Sequence, residues 1–284
     1  MTVLKTYHYI CQALENLYPE NEIRSFALHI FRHVAGVSLM DVFSNNNDQL
    51  SEKQIDEIRE IVSRLQKYEP VQYILGETGF YGLDFYVDPS VLIPRPETEE
   101  LVDWILQSVS PTLPSRILDI GTGSGCIAVS LAKYLPKADV FAWDISENAL
   151  HIAGKNAEKN HVHINFDLID VLHVDSKDIT EKFDVIVSNP PYVTEREKNQ
   201  MDKNVLEYEP FTALFVPDDN SLLFYEKIGN LALYLLQNNG FLFFETSSIF
   251  GKETADLLLK TGFKNIELKT DISGKDRMIK AGLS

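Results

Sequence analysis

The stretch VSNPPYV, residues 187–193, carries an apolar run (Val185, Ile186, Val187) into an asparagine, two prolines and a tyrosine. Pro190 and Pro191 have no N–H to donate, so ladder pairing stops there and the strand exit is stiff. A polar amide held at such a place can orient a planar nitrogen. Amides and ring-conjugated amines are poor nucleophiles because their lone pair is delocalised, so what a protein can add is position. The Asn189 side-chain oxygen can accept one N–H and the Pro190 carbonyl the other, while Tyr192 offers a flat face to the planar group. Taken alone, the same residues also fit a rigid strand exit in which Asn189 caps a turn.

A second group lies upstream. ILDIGTGSGCIAVSLA reads as strand, glycine turn, helix, with Gly121, Gly123 and Gly125 where the strand ends. Glycine permits the tight turn and lets a ligand approach the backbone. Asp144, about twenty residues on, ends the next strand, where a carboxylate can accept both hydroxyls of a ribose. A dinucleotide and S-adenosylmethionine both fit this outline. Asp119 stands just before the glycines, giving D-x-G-x-G-x-G. An acid facing the ligand suits a cationic methionine end and would oppose a pyrophosphate. The spacing also departs from G-x-G-x-x-G, so the loop favours S-adenosylmethionine. Asp170 follows the third strand and could accept from the exocyclic amine of an adenine flanked by Val171; it also reads as a solvated loop acid.

Positioning these groups requires a particular scaffold. From about residue 115 onward, strand patterns (RILDI, DVFAW, HINFDLI, FDVIVS, GFLFFE, NIELKT, RMIKAG) alternate with helical ones, including SLLFYEKIGNLALYLLQ and GKETADLLLK. Such alternation predicts a mostly parallel sheet covered on both faces. With strand order 3-2-1-4-5, Asn189 ends the strand next to the glycine-loop strand, at the point where ligands bind. Residues 1–68 read as a small helical bundle. Ile23, Phe26, Ala27, Ile30, Phe31 and Val34 form one stripe, and Ser51 with Gln54 a capping box before Ile55, Ile58, Ile61, Val62 and Leu65. Residues 69–96 contain a β-hairpin pattern linking the two parts. Glu97 begins a helix with Leu101, Val102, Ile105 and Leu106 on one face, and 97–284 forms the α/β domain.

At 284 residues and a formal charge of −16, the chain can build a large core and repels phosphate backbones. The first twenty residues hold no signal-peptide run, and no segment reaches the length of a membrane span. Cys11 and Cys126 lack metal-ligand spacing and read as reduced thiols. A cytoplasmic, metal-free, monomeric protein with no membrane and no direct nucleic-acid partner is expected.

Several stretches together resemble the peptide chain release factor glutamine methyltransferases: EPVQYILG, LIPRPETEELV, LDIGTGSGCIAVSLA, VSNPPYV, EPFTAL and DISGKDRM. The resemblance covers residues 69–284. N-P-P-Y by itself is shared by methyltransferases acting on adenine, guanine or glutamine; PRPETE followed by GTGSG and NPPY is specific. It implies a Rossmann-like class I methyltransferase domain with a seven-stranded sheet. It implies S-adenosylmethionine as donor, S-adenosylhomocysteine as product, and as substrate the glutamine of the Gly-Gly-Gln tip of a class 1 release factor. The cofactor contacts would be Asp119, Gly121, Thr122, Gly123, Ser124, Gly125, Asp144, Asp170, Val171 and Asn189. Asn189, Pro190, Pro191 and Tyr192 would clamp the substrate, and the N-terminal helices would grip another part of the factor. The family often has an aromatic residue after the acid at 170, where this chain has Val171 and Leu172. It often has histidine and glycine after the acid at 245, where this chain reads ETSS, so Glu245 is assigned no role. A nucleic-acid base methyltransferase would need a basic surface and a target-reading domain, which the charge opposes. A non-catalytic binding module would not need an intact glycine loop, Asp144 and N-P-P-Y together.

Overall fold

The computed structural model describes residues 1–37 and 49–283. Two compact units divide the chain: Met1–Gly76 with Asp202–Tyr208, and Glu77–Met201 with Glu209–Ser284.

The first unit contains helices α1 (Val3–Leu14), α2 (Glu20–Ala35), α3 (Glu52–Leu65) and the short α4 (Val71–Leu75). Their apolar faces make one core in which Ile10, Leu14, Ile30, Phe31, Ile58 and Leu65 are fully buried. α2 buries Ile23, Phe26, Ala27, Ile30 and Phe31, and ends at Gly36 in the left-handed region, whose N–H returns to the Arg32 carbonyl. The Ser51/Gln54 capping box opens α3 as its sequence requires. The part of the helical expectation that falls on residues 38–48 lies outside the described residues. A segment distant in sequence, the short helix Lys203–Tyr208, joins this unit. There the Tyr208 hydroxyl donates to the Lys67 carbonyl at 2.9 Å, and the Lys203 ammonium lies over the Tyr68 ring.

The second unit begins with an antiparallel hairpin, β1 (Glu77–Phe80) and β2 (Leu83–Tyr86). Tyr81 and Gly82 take φ of 48° and 73° at its tip, the twist a two-residue turn needs. Helix α5 (Pro96–Ser108) follows, with proline at its first position. Then come β3 (Ser115–Ile120), α6 (Cys126–Tyr134), β4 (Ala138–Asp144), α7 (Glu147–Lys159), β5 (Asn165–Leu168), β6 (Phe183–Ser188) and the two-residue strands β7 (Val193–Thr194) and β8 (Phe215–Val216). Helix α8 (Leu223–Leu235), β9 (Leu236–Glu245), α9 (Gly251–Thr261), β10 (Lys264–Thr270) and β11 (Asp276–Gly282) complete it.

The main sheet has seven strands in the order β10-β11-β9-β6-β3-β4-β5. Five pair in parallel, in the 3-2-1-4-5 arrangement expected from the sequence; β11 inserts antiparallel between β9 and β10, so β10 runs in the same direction as those five. One apolar cluster covers one face with α5, α6 and the hairpin; a second covers the other with α8 and α9. β3 and β6 are therefore buried on both sides, which is why RILDI and FDVIVS run apolar without alternation. Strand order reverses at β3, opening a crevice beyond the carboxyl ends of β3 and β6. Among the described residues no helix is long and apolar enough to cross a membrane.

Candidate active site

Strand register places the chemistry. Ser188, the last residue of β6, pairs with Ile120 on one side and Phe244 on the other. The next residue along each strand is then Asn189, flanked by Gly121 and Glu245. Ile120 also pairs with Trp143, which brings Asp144 level with Gly121. The Ser188 hydroxyl donates to the Ile120 carbonyl at 2.7 Å and pins the β3–β6 exit.

The glycine loop is held from below by backbone bonds. Gly121 and Thr122 donate to the Trp143 carbonyl at 2.8 and 3.0 Å, and Gly123 donates to Asp144 Oδ2 at 2.8 Å. Asp144 Oδ1 accepts from Ser146 at 2.9 Å. Burial raises the Asp144 carboxyl above its ordinary value, and these backbone donors oppose the rise. Gly121, Gly123 and Gly125 all have positive φ. A Cβ on Gly121 or Gly123 would meet nothing within 4 Å, so the loop presents open space, whereas one on Gly125 would lie 3.0 Å from Ala153 of α7. The first two glycines leave room for a ligand; the third allows helix packing.

A cavity of about 460 Å³ lies over these ends. Its wall includes Gly121, Thr122, Gly123, Ser124, Asp144, Asp170, Val171, Asn189, Pro190 and Pro191, so ten of the residues expected from the sequence converge on one space. Asp170 keeps its oxygens engaged locally, accepting from the Leu172 N–H and meeting His173 Nδ1.

Three expected residues are not on the wall. Gly125 faces α7, as above. Asp119 is fully buried beneath the loop: Oδ2 accepts from the Thr122 hydroxyl at 2.7 Å, and among the described residues Oδ1 makes no hydrogen bond of ordinary geometry, the Ala128 backbone N–H being a further donor to the carboxyl. Burial pushes its carboxyl up to about 7 against the Thr122 bond and the Ala128 backbone N–H, with repulsion from Asp144 adding to the rise. Its influence on a ligand therefore passes through Thr122 and the loop rather than by contact. Tyr192, expected to offer a flat face to the substrate, is not on this wall: the ring packs against the core and its hydroxyl donates to Glu245 Oε1 at 3.2 Å.

Glu245, assigned no role from the sequence, is a buried hub. It accepts from Thr98 Oγ1 at 2.6 Å and from Tyr192, and its main-chain carbonyl accepts from Tyr225. Burial raises its carboxyl; the Thr98 hydrogen bond and the Arg277 charge hold it down. Thr98 in turn lies 3.3 Å from Asn189 Nδ2. Two further positioning residues escaped the sequence reading. Asn156, fully buried on α7, donates to the carbonyls of Ser124 and Tyr86 and accepts from Tyr86 N–H, tying the hairpin to the glycine loop. Glu209 bonds Arg95 at 2.5 Å, joining the PRPE and EPFTAL stretches at the cavity. A polar residue on the buried face of a helix, or an acid paired across more than a hundred positions, leaves no periodic signal; only the resemblance of the PRPE and EPFTAL stretches to the family pointed there.

The cofactor implied by the sequence fits these residues. The loop leaves an open cradle, a carboxylate held by backbone donors ends β4, and among the described residues no basic side chain other than Arg95 lines the wall to favour a pyrophosphate.

Two family models match the chain: Methyltransferase small domain over residues 101–208, and PrmC N-terminal domain over residues 6–76. The release factor glutamine methyltransferase of Flavobacterium psychrophilum is 51% identical over 95% of both chains. That of Bacteroides thetaiotaomicron is 46% identical over 96% of this chain and 97% of its own. Among solved structures, a 16S rRNA N2 G1207 methyltransferase from T. thermophilus in complex with AdoMet and guanosine superposes with a TM-score of 0.54 at 18% identity. It covers 73% of this chain and 50% of its own, a likeness of fold alone.

Proposed function

The chain belongs to the release factor glutamine methyltransferases, and we propose that it moves a methyl group from S-adenosylmethionine to the side-chain amide nitrogen of the glutamine in the Gly-Gly-Gln tip of class 1 peptide chain release factors. The observation that carries this reading is that the glycine loop with Asp144 and the Asn189–Pro190 exit line one cavity.

When bound, the cofactor supplies a methyl group already activated by its sulfonium. The protein's part is placement. Asp144 would accept the ribose hydroxyls, and Gly121 to Ser124 would border the methionine end, with Asp119 holding the loop from beneath through Thr122. Asp170 and Val171 would border the adenine. Asn189 Oδ1 and the Pro190 carbonyl would each accept one N–H of the target amide, turning its nitrogen to the methyl; Pro191 keeps that exit from yielding. Transfer would exchange the sulfur–methyl bond, whose electron pair would stay on the sulfur, for a nitrogen–methyl bond, and one of the two N–H protons that these acceptors hold would pass to water. Tyr192 acts behind the wall, through Glu245. The N-terminal helices, residues 1–68, would grip a second part of the factor, and residues 69–96, with the hairpin, would link them along the chain to the catalytic part. The enzyme would work in the cytoplasm as a monomer.

Tritiated S-adenosylmethionine offered with purified release factor, DNA or RNA tests the substrate, and mass spectrometry of the labelled product locates the methyl group. The expected result is label on the factor only, on the glutamine of its Gly-Gly-Gln peptide. Label on nucleic acid, or on another residue, would refute the reading.

A further inference from the structure

Thr98 stands at the first turn of α5, only 2% exposed, yet on the cavity wall. Its hydroxyl oxygen lies 2.6 Å from Glu245 Oε2 and 3.3 Å from Asn189 Nδ2. A hydroxyl has one proton to give and a carboxylate can only accept, so that proton goes to Glu245. The other Glu245 oxygen takes the Tyr192 hydroxyl, and Arg277 supplies the balancing charge. With its proton committed, the Thr98 oxygen can meet Asn189 only as an acceptor, which requires the NH2 end of the amide. The flipped amide would set oxygen against oxygen with no proton between them. Among the described residues no donor occupies Asn189 Oδ1, which leaves that oxygen for the cavity.

We propose that Thr98, anchored by Glu245, is a positioning residue that fixes which end of the Asn189 amide faces the substrate. The inference rests on the reading of Asn189 as acceptor for the target N–H. It makes the threonine of PRPETE and the acid that ends β9 parts of one device. The order of donation runs from Asn189 to Thr98 to Glu245, and only that order presents an acceptor to an amide nitrogen.

Thr98→Val keeps the shape and removes the hydroxyl; Thr98→Ser keeps the hydroxyl. Single-turnover methylation of release factor at saturating cofactor should fall about tenfold in Thr98→Val, the worth of one hydrogen bond. It should return to within about twofold of the parent in Thr98→Ser. Calorimetric affinity for S-adenosylhomocysteine should not change in either. In an Asn189→Ala background, Thr98→Val should cost nothing further, because its effect passes through the amide. Independently of activity, the Asn189 side-chain NH2 resonance, identified by its loss in Asn189→Ala, should move in Thr98→Val and stay in Thr98→Ser. A parental rate in Thr98→Val, a full additional loss on top of Asn189→Ala, or an unmoved resonance would overturn the inference. If Asn189→Ala itself transferred methyl at the parental rate, the acceptor reading would fall with it. If Asn189→Ala is slow and Thr98→Val is not, only the role of Thr98 falls.

Discussion

Replacing Asp119 by asparagine should change how stability depends on pH. The carboxyl is fully buried beneath the glycine loop, with one oxygen bonded to Thr122 and the other, among the described residues, without a hydrogen bond of ordinary geometry. Its pKa rises from 3.8 to about 7, chiefly through burial. In the unfolded chain the group ionises near its ordinary value. Between about pH 4 and pH 7 the native state therefore holds a proton that the unfolded chain has released. The stability associated with the neutral form is complete below the unfolded value and is lost as pH rises through the folded one. A shift of about three units at about 1.4 kcal/mol per unit amounts to on the order of 4 kcal/mol across that window. Asparagine has the same shape and no charge to desolvate. It places an NH2 where the orphan oxygen was, a penalty of about 1–3 kcal/mol that does not vary with pH. The stability of Asp119→Asn relative to the parent should thus climb by about 4 kcal/mol from pH 4 to pH 7.5. Both tryptophans, Trp104 and Trp143, lie in the second unit, so their fluorescence in urea titrations follows the unit that contains Asp119. Groups titrating alike in both proteins cancel in the difference. A difference flat across the window would show that Asp119 is ionised in the native state with an ordinary pKa, and the electrostatic account of the loop would fail.

Gly125→Ala should destabilise the second unit by about 3 kcal/mol, since φ is 79° and the new Cβ would sit 3.0 Å from Ala153 Cβ and 3.3 Å from its Cα; a loss under about 1 kcal/mol in the same urea assay would contradict this. Asp144→Ala should weaken calorimetric binding of S-adenosylhomocysteine at least about tenfold, because a carboxylate bond to a hydroxyl is worth about 1.5–3 kcal/mol. Unchanged affinity would remove Asp144 from the site. Ser51→Ala, which breaks the capping box of α3, should weaken that helix end by about 1 kcal/mol and speed amide exchange in its first turn about fivefold; unchanged exchange there would mean the box holds nothing.

The order of the parallel strands, the helical stripes, the hairpin and the capping box could be read from the sequence because each rests on local periodicity or turn chemistry. RILDI and FDVIVS read as central strands, since a strand covered on both faces carries apolar residues at successive positions rather than at every second one. Glycines after the first strand, an acid after the second and N-P-P-Y after the fourth then had to meet, because parallel strands put all their carboxyl ends on one edge. Other features depended on distances that no periodicity encodes. The joining of Lys203–Tyr208 to the N-terminal helices is one, and the bond between Arg95 and Glu209 is another. Asp119 and Tyr192 have residue types suited to a ligand wall, yet neither is on it: Asp119 lies on a buried face of β3 and Tyr192, in the connection after β6, packs against the core through its ring. Glu245 looked idle because its neighbours in sequence depart from the family's pattern. Its partners lie in space, Thr98 more than a hundred positions away and Tyr192 more than fifty. A single hydroxyl proton shared among three residues is settled by the tertiary structure alone, since hydrogen-bond direction depends on donors and acceptors within about 3 Å, whatever their order along the chain.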